Sequence, residues 1–227
     1  VNTVMGPGLD RFTQEPWLND GQLAWRAAPA SSGDLAVLRP AGDPFSTDGG
    51  LRLLQGNLGR SVVKVSAVKP AHRVVRAPAV VVADQQELLA LYQQGRLQRD
   101  FIAVVRYQGP QANGMPELHK LMPPLGALQD QGFQVALVTD GRLSGASGKV
   151  PSAIHLSPEA LGGGPIARVM EGDWITLDCE QGILQLEVDD ATLAARSPVV
   201  PDLSAHAHGT GRELFGQFAD ALQDQAR

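Results

Sequence analysis

Residues 135–155 read VALVTDGRLSGASGKVPSAIH, and this stretch organises the predictions for the whole chain. Its first four residues form a continuous apolar run, which predicts a buried strand. Residues 139–149 contain three glycines and two serines, so they predict a loop and not regular structure. A loop of small residues directly after a buried strand lets backbone amides approach an anion or a polar substrate. We therefore expect a functional site in this loop.

The composition of the 227-residue chain limits the classes of protein to which it can belong. It is 43% hydrophobic and 19% charged with a net charge of −5, as expected of an ordinary soluble protein of one or two domains. The negative charge disfavours bulk attraction to nucleic acid or to anionic membranes, and no apolar run is long enough to span a bilayer. The single cysteine, Cys179, excludes a disulfide framework and suits a reducing, cytoplasmic compartment; alone it cannot hold an iron–sulfur cluster. Because the chain starts at Val1 and not at Met, we expect a piece of something longer.

Strands interleaved with short helices, and then a hairpin, predict an α/β fold with a mixed sheet or barrel flanked by helices. Frequent prolines without periodicity predict an irregular arm over residues 1–48, whose tryptophans dock on the domain or on a missing neighbour. Residues 49–200 form the predicted domain, with short strand candidates at 73–76 and 79–82 and a helix capped by Asp84. A further helix is predicted from residue 116 to about 131, broken or kinked by its two adjacent prolines. Residues 201–227 predict a loop and a terminal helix that pack on this domain.

Five motifs occur in order along the chain: RYQGP at 106–110, GMPEL at 114–118, TDGRLSG at 139–145, HLSPEA at 155–160 and GGPIA at 163–167. Together they resemble the C-terminal signature of the dihydroxy-acid dehydratase/phosphogluconate dehydratase family. The segments TQEP at 13–16, ASGKVPSAIH at 146–155 and GTGRELF at 209–215 are similar to the phosphogluconate-specific members of that family.

The resemblance implies a mixed, barrel-like swivelling β/β/α domain that packs as a lid over a cluster held elsewhere. A long N-terminal domain, absent from this chain, is expected to carry the cysteines of a 4Fe–4S or 2Fe–2S cluster and most ligands of Mg²⁺. We therefore expect the isolated chain to hold no cofactor and to be inactive without that partner domain. The intact protein is expected to be a homodimer, as is common in the family, with no nucleic-acid or membrane partner.

The implied reaction is the loss of water from a 2,3-dihydroxy acid. In the phosphogluconate-specific members this converts 6-phospho-D-gluconate to 2-keto-3-deoxy-6-phosphogluconate, a step of the Entner–Doudoroff pathway. Two alternatives stay open at this point. The substrate could be another 2,3-dihydroxy acid or an unphosphorylated sugar acid, or the isolated chain could be a non-catalytic swivelling module.

Such a dehydration needs a base that takes the C2 proton and a Lewis acid that holds the leaving C3 hydroxide. The resemblance implies that Ser144 is the base and that Glu117 is the ligand to Mg²⁺ from this domain. From residue type alone, Ser144 is more often a turn residue that satisfies its own backbone, and Glu117 could be a carboxylate at a helix start without a ligand role. Arg142, Lys149 and His155 are candidates for binding the substrate, Lys149 for its phosphate. A single lysine is more often a surface charge, and a histidine in a strand is more often structural.

Overall fold

The computed structural model describes residues 2–4, 6–8, 10–47, 49–144, 148–199, 201–204 and 208–209. The chain forms two compact units, Val1–Asp48 and Gly49–Arg227. The predicted terminal helix lies outside the described residues, and so do residues 145–147 of the glycine-rich loop. Within the described ranges, no helix is both long enough and apolar enough to cross a bilayer.

The first unit contains a β-hairpin that the sequence analysis did not predict. After a short pair formed by β1 (Asn2–Thr3) and β2 (Gly6–Pro7), strands β3 (Gln14–Asn19) and β4 (Gln22–Ala27) pair antiparallel along their full length. The two turn residues, Asp20 and Gly21, have φ angles of 48° and 80°, as a tight two-residue hairpin turn requires. The arm is therefore irregular mainly after β4, where residues 28–47 form neither a helix nor a strand.

The second unit is a closed barrel of eight strands, which confirms the predicted α/β class with a mixed barrel and short flanking helices. In chain order the strands are β5 (Leu51–Gly56), β6 (Gly59–Lys64), β7 (Val74–Val82), β8 (Phe101–Val105), β9 (Val135–Thr139), β10 (Ser152–Ser157), β11 (Trp174–Asp178) and β12 (Ile183–Leu186). Their spatial order is β10-β6-β5-β12-β11-β7-β8-β9. The run β7-β8-β9-β10 is parallel, and so is the pair β12-β5, whereas the other neighbours are antiparallel.

Three short helices lie between strands of the barrel and a fourth follows its last strand, and they begin where the local sequence favours a helix start. The helices are α1 (Gln85–Gln93), α2 (Pro110–Asn113), α3 (Met122–Asp130) and α4 (Asp190–Ala195). Asp84 caps α1 as predicted, because its Oδ1 accepts the amides of Gln86 and Glu87 at 2.8 and 2.9 Å. The helix predicted from residue 116 begins only at Met122. The two prolines that were expected to break it lie in its first turn, where a missing amide hydrogen is tolerated.

Two hydrophobic cores lie on the two faces of the parallel strands. Ile102 and Val104 of β8 point into the barrel interior, whereas Phe101, Ala103 and Val105 pack in a second core that also contains residues of α1 and α3. Every residue of β8 and β9 is therefore buried, which explains why both strands are continuous apolar runs in the sequence.

Candidate active site

The candidate site lies where β7, β8 and β9 end side by side. Val82 pairs with Val105, and Val105 pairs with Thr139, so the three strands stop in register at one edge of the barrel. The carboxyl ends of parallel strands are the usual place for ligand sites in α/β folds. An isolated bridge between Glu117 and Arg142 then joins the segment that follows β8 to the segment that follows β9.

Asp140 holds the backbone beneath this edge. It is only 1% exposed, and its Oδ2 accepts the amides of Tyr107 and Ala160 at 3.2 and 2.9 Å, while its Oδ1 accepts the amide of Gln108 at 2.9 Å. Burial raises the pKa of Asp140, and the amides oppose that rise. Asp140 belongs to the TDGRLSG motif, but the sequence alone indicates no role for it. The structure shows a framework residue that joins three chain segments.

Gly141 allows these segments to pack closely. A β-carbon at this position would lie 2.8 Å from Cβ of Gln108 and 2.8 Å from Cδ1 of Leu118, which is too close for ordinary contact. Tyr107 and Met115 on the neighbouring segment have φ angles of 62° and 53°. Residues held in this left-handed region cluster at functional sites, where the surrounding structure maintains them.

Three of the predicted site residues meet at this edge, and we call Glu117, Arg142 and Ser144 the acid–serine cluster. Oε2 of Glu117 accepts a hydrogen bond from Nη1 of Arg142 at 2.8 Å, and its Oε1 accepts one from the backbone amide of Ser144 at 2.8 Å. Nε of Arg142 donates to the carbonyl of Met115 at 2.8 Å. The side chains of Glu117 and Arg142 are 36% and 45% exposed, so a ligand can reach the cluster.

The predicted place of Glu117 at a helix start is wrong. Glu117 lies in the bridge to Arg142, and the first helical turn after it is a 3-10 turn over His119–Leu121. Its carboxylate is therefore stabilised by an arginine and a backbone amide and not by a helix dipole. Arg142, predicted to bind substrate, directs two of its donor nitrogens to Glu117 and Met115.

The described part of the chain could contribute one ligand to a bound metal ion, but it could not hold the ion by itself. Within the described ranges, no group of three or more His, Cys, Asp or Glu residues is placed to hold a metal ion. Glu117 can offer a hard oxygen ligand of the kind that Mg²⁺ prefers. Cys179 is 1% exposed and burial raises its pKa to about 11, so it stays a thiol in the core and does not suit a cluster.

His155 lies beside the acid–serine cluster through its backbone. Its φ angle is 54°, its side chain is exposed, and its amide donates to the carbonyl of Gly141 at 2.9 Å. The pairing of β10 with β6 shifts register between Ile154 and Ser157, and such irregularities redirect side chains next to active sites. A role of His155 in substrate binding stays a prediction.

Lys149 lines a different pocket from the acid–serine cluster. Its Nζ contacts both carboxylate oxygens of Asp130 at 2.5 Å, and the two side chains are 49% and 67% exposed. The pair lines an open pocket of about 440 Å³, together with His119, Met122 and Val150. We call it the Lys149 pocket. The role of Lys149 in phosphate binding stays a prediction.

Ser144 lines a smaller pocket with a residue that the sequence analysis missed. This Ser144 pocket has a volume of about 100 Å³ and is lined by Leu51, Lys64, Leu143, Ser144, Val150, Ser152 and Ile154. A β-carbon on Gly148 would lie 3.6 and 3.7 Å from Cδ and Cε of Lys64, so the lysine stem runs alongside the glycine-rich loop. Alternation in β6 indicates that Lys64 points away from the buried Val63, but nothing in the sequence links it to Ser144.

Known proteins resemble this chain over almost its whole length. The model of a family described as dihydroxy-acid/6-phosphogluconate dehydratase C-terminal matches residues 36–227. A phosphogluconate dehydratase of Pseudomonas aeruginosa is 59% identical over 98% of this chain and 36% of the relative, and one of Escherichia coli K12 is 57% identical over 98% and 37%. A dihydroxy-acid dehydratase of Agathobacter rectalis is 42% identical over 72% of this chain and 29% of the relative. The chain thus spans a little over a third of the length of its phosphogluconate dehydratase relatives.

Proposed function

Because this chain belongs to the dihydroxy-acid/6-phosphogluconate dehydratase C-terminal family, we propose that it is the C-terminal part of a hydro-lyase acting on 6-phospho-D-gluconate. The product would be 2-keto-3-deoxy-6-phosphogluconate, an intermediate of the Entner–Doudoroff pathway. The observation that carries the proposal is the acid–serine cluster, which joins the candidate base and the candidate metal ligand by one 2.8 Å hydrogen bond. Identity of 59% to a phosphogluconate dehydratase over 98% of the chain favours the phosphorylated substrate. A dihydroxy-acid substrate is the second candidate, because a dihydroxy-acid dehydratase is 42% identical over 72% of the chain.

In the proposed reaction, the Ser144 hydroxyl first loses its proton to solvent, and the Oγ alkoxide then takes the proton from C2. The electron pair left behind forms the C2–C3 double bond as hydroxide leaves C3. The resulting enol becomes the 2-keto acid when C3 gains a proton and the hydroxyl on C2 loses one. A serine hydroxyl is a weak base, so it must be well positioned and stabilised once charged. Glu117 contributes by binding the amide of Ser144, and Asp140 contributes by holding the start of the same segment.

An iron–sulfur cluster, 4Fe–4S or 2Fe–2S, and Mg²⁺ would supply the Lewis acid that holds the leaving hydroxide. We propose that an N-terminal domain outside this chain binds both groups and that Glu117 adds one oxygen ligand to Mg²⁺. That domain and a second copy of the protein, as a homodimer, are the proposed partners. The single cysteine supports a cytoplasmic location, because it suits a reducing compartment.

The phosphate of the substrate is proposed to bind at Lys149. The Lys149 pocket adjoins the Ser144 pocket, because Val150 lines both of them. A sugar acid with its C2 at Ser144 can therefore extend toward Lys149. A phosphate with nearly two negative charges would compete with Asp130 for the ammonium group. Arg142 and His155 are the proposed further contacts to the hydroxyl groups of the substrate.

The full-length protein with its cofactors tests this proposal. We expect its kcat/KM for 6-phosphogluconate to exceed the values for gluconate and for 2,3-dihydroxyisovalerate by at least about 10-fold, because those acids lack the phosphate that is proposed to contact Lys149. Ser144→Ala should lower kcat by about 10³-fold or more, as expected for the loss of a general base, whereas the exposed Ser66→Ala should not.

Three results would count against it. Preference for 2,3-dihydroxyisovalerate would identify a dihydroxy-acid dehydratase. Wild-type kcat in Ser144→Ala would remove the base assignment. Absence of turnover with all three acids would favour a non-catalytic module.

A further inference from the structure

We propose that Lys64 binds the C1 carboxylate of the substrate and so fixes C2 against Ser144. The inference builds on the proposed dehydration, but it concerns a group that every 2,3-dihydroxy acid carries, whether or not it is phosphorylated.

The barrel positions Lys64 for this contact. Lys64 is the last residue of β6 and pairs with Leu51 of β5. Its neighbours Val63 and Val65 are 0% and 4% exposed in the barrel core, so alternation turns Lys64 toward the opposite face. On that face its stem runs beside Gly148, and its side chain lines the same pocket as Ser144.

The size of the Ser144 pocket selects one end of the substrate. Its volume of about 100 Å³ equals roughly three water molecules at about 30 Å³ each. This is room for a carboxylate and the carbon next to it, but not for a six-carbon phosphate. The C1 carboxylate is bonded to C2, whose proton Ser144 takes, so it is the anionic group that must lie nearest to Ser144.

The lining of the Ser144 pocket favours Lys64 over Arg142 as the partner of this carboxylate. Among the described residues that line the pocket, Lys64 is the one with a charged side chain, and Arg142 does not belong to that lining. The ammonium of Lys64 is compact and carries three donors.

This contact would act in the chemical step as well as in binding. When the C2 proton moves to Oγ of Ser144, the electron pair left on C2 spreads onto the carboxylate oxygens, and Lys64 stays protonated throughout. A cation placed where negative charge grows stabilises the transition state more than the bound substrate.

The test uses the full-length, cofactor-loaded protein as wild type, Lys64→Met, Lys64→Arg and the control Lys69→Met. Methionine keeps the apolar stem of Lys64 while removing its charge, and Lys69 is an exposed lysine in the turn that follows β6. Two competitive inhibitors report on the carboxylate. The first, 3-deoxy-6-phosphogluconate, keeps the carboxylate but has no C3 hydroxyl to lose. The second, D-glucitol 6-phosphate, has no carboxylate.

We expect Lys64→Met to lower kcat/KM for 6-phosphogluconate by about 100-fold or more, as does the loss of one charge-stabilising donor in other enzymes. Its inhibition constant for 3-deoxy-6-phosphogluconate should rise by about 10-fold or more, while that for D-glucitol 6-phosphate stays within about twofold. Lys64→Arg should keep at least about a tenth of the wild-type kcat/KM, because it keeps the charge, and Lys69→Met should behave as wild type.

Equal weakening of both inhibitors would mean that Lys64 only supports the fold, and unchanged inhibition by both would mean that the carboxylate binds elsewhere. Either result overturns the inference. If Lys64→Met does not fold, Lys64→Gln replaces it with the same inhibitor pair. If the wild-type protein dehydrates a different 2,3-dihydroxy acid, the proposed substrate is refuted but the inference about Lys64 is not. A 3-deoxy analogue of that acid, and the alcohol that lacks its carboxylate, would then test Lys64 in the same way.

Discussion

Asp140 and Glu117 are two carboxylates at the same edge of the barrel, and both accept hydrogen bonds from backbone amides. Asp140 is 1% exposed and binds three amides from neighbouring segments, whereas the side chain of Glu117 is 36% exposed and binds one amide and Arg142. Burial raises the pKa of Asp140, because removal of the carboxylate from water disfavours its charged form. Its oxygens are used to bind backbone amides and so to hold neighbouring segments together. The difference teaches that one carboxylate shapes the site while the other is left accessible for chemistry.

The largest expected effect is a loss of stability when Asp140 is replaced, which would distinguish it from Glu117. Asp140→Ala leaves three buried amides without their acceptor, and each such group costs about 1–3 kcal/mol, so we expect the free energy of unfolding to fall by about 3 kcal/mol or more. The matched control is Asp84→Ala, which removes the cap of α1 and should cost about 1 kcal/mol. Denaturant unfolding of both variants measures the difference. Equal losses in the two would show that Asp140 is an ordinary capping residue.

Glu117→Gln should do the reverse and affect activity more than stability. The amide oxygen can still accept the amide of Ser144, but the charge that pairs with Arg142 and suits Mg²⁺ is gone. We expect kcat/KM of the full-length protein to fall by about 10²-fold, or about 2.7 kcal/mol of transition-state stabilisation. The free energy of unfolding should change by less than about 1 kcal/mol, because the ion pair is exposed. A variant with wild-type kinetics would place Glu117 with Asp140 in the framework.

Asp173 is a third carboxylate, which is half-buried and is paired with a cation as Glu117 is. Its carboxylate accepts hydrogen bonds from Arg196 at 2.5 and 3.0 Å, and the two side chains are 11% and 15% exposed. Burial, the largest single influence, acts to raise the pKa of Asp173. The hydrogen bonds from Arg196 and from the amide of Met170, together with the nearby positive charge, hold it below its ordinary value.

Asp173→Asn should therefore show a pH-dependent loss of stability. A lowered pKa in the folded state means that the stabilisation is present above the unfolded value of about 3.9 and is lost as the pH falls through the folded value. We expect a deficit of about 2 kcal/mol at pH 7 that shrinks below about pH 4. Unfolding measurements from pH 2 to pH 7 check this. A deficit that stays constant over that range would show that the charge of Asp173 contributes nothing.

Lys149→Met should have the smallest effect and should depend on the substrate. Its ion pair with Asp130 is exposed and contributes little to stability, so only phosphate binding should suffer. We expect KM for 6-phosphogluconate to rise about 10-fold, or about 1.4 kcal/mol, with kcat within about twofold. KM for gluconate should stay unchanged, and the exposed Lys120→Met serves as the control. Equal changes for both substrates would contradict a contact to the phosphate.

Local patterns predicted those parts of the fold whose causes are local. The buried run of β9 and the cap at Asp84 appear where the sequence indicates them.

The two strand candidates at 73–76 and 79–82 belong to one strand, β7, which runs through Pro78. Pro78 pairs with Trp174 of β11, whereas the next residue, Ala79, pairs with Ile102 of β8. A proline is tolerated there because β7 changes partner at that point, which no local pattern could show. The hairpin turn at Asp20 and Gly21 carried a local signal, but the surrounding prolines obscured it.

The candidate site was only partly accessible from the sequence for the same reason. Motif resemblance pointed to Ser144, Glu117 and Arg142, and the structure places these three together. The stabilisation of Glu117 by Arg142 could not be predicted, because it arises from a bridge between segments that follow two different strands. Lys64 was missed because β6 reaches Ser144 only through the closure of the barrel.

The sequence by itself determined the fold class, the family resemblance and the serine and carboxylate that carry the proposed chemistry, because these depend on residue type, order and short spacing. Only the tertiary structure decided which carboxylate is buried and which is accessible. It also decided that Arg142 pairs with Glu117, and that Lys64 and Lys149 line two adjoining pockets. Burial, ion pairing and pocket shape depend on which strands lie side by side, and that arrangement exists only once the barrel has closed.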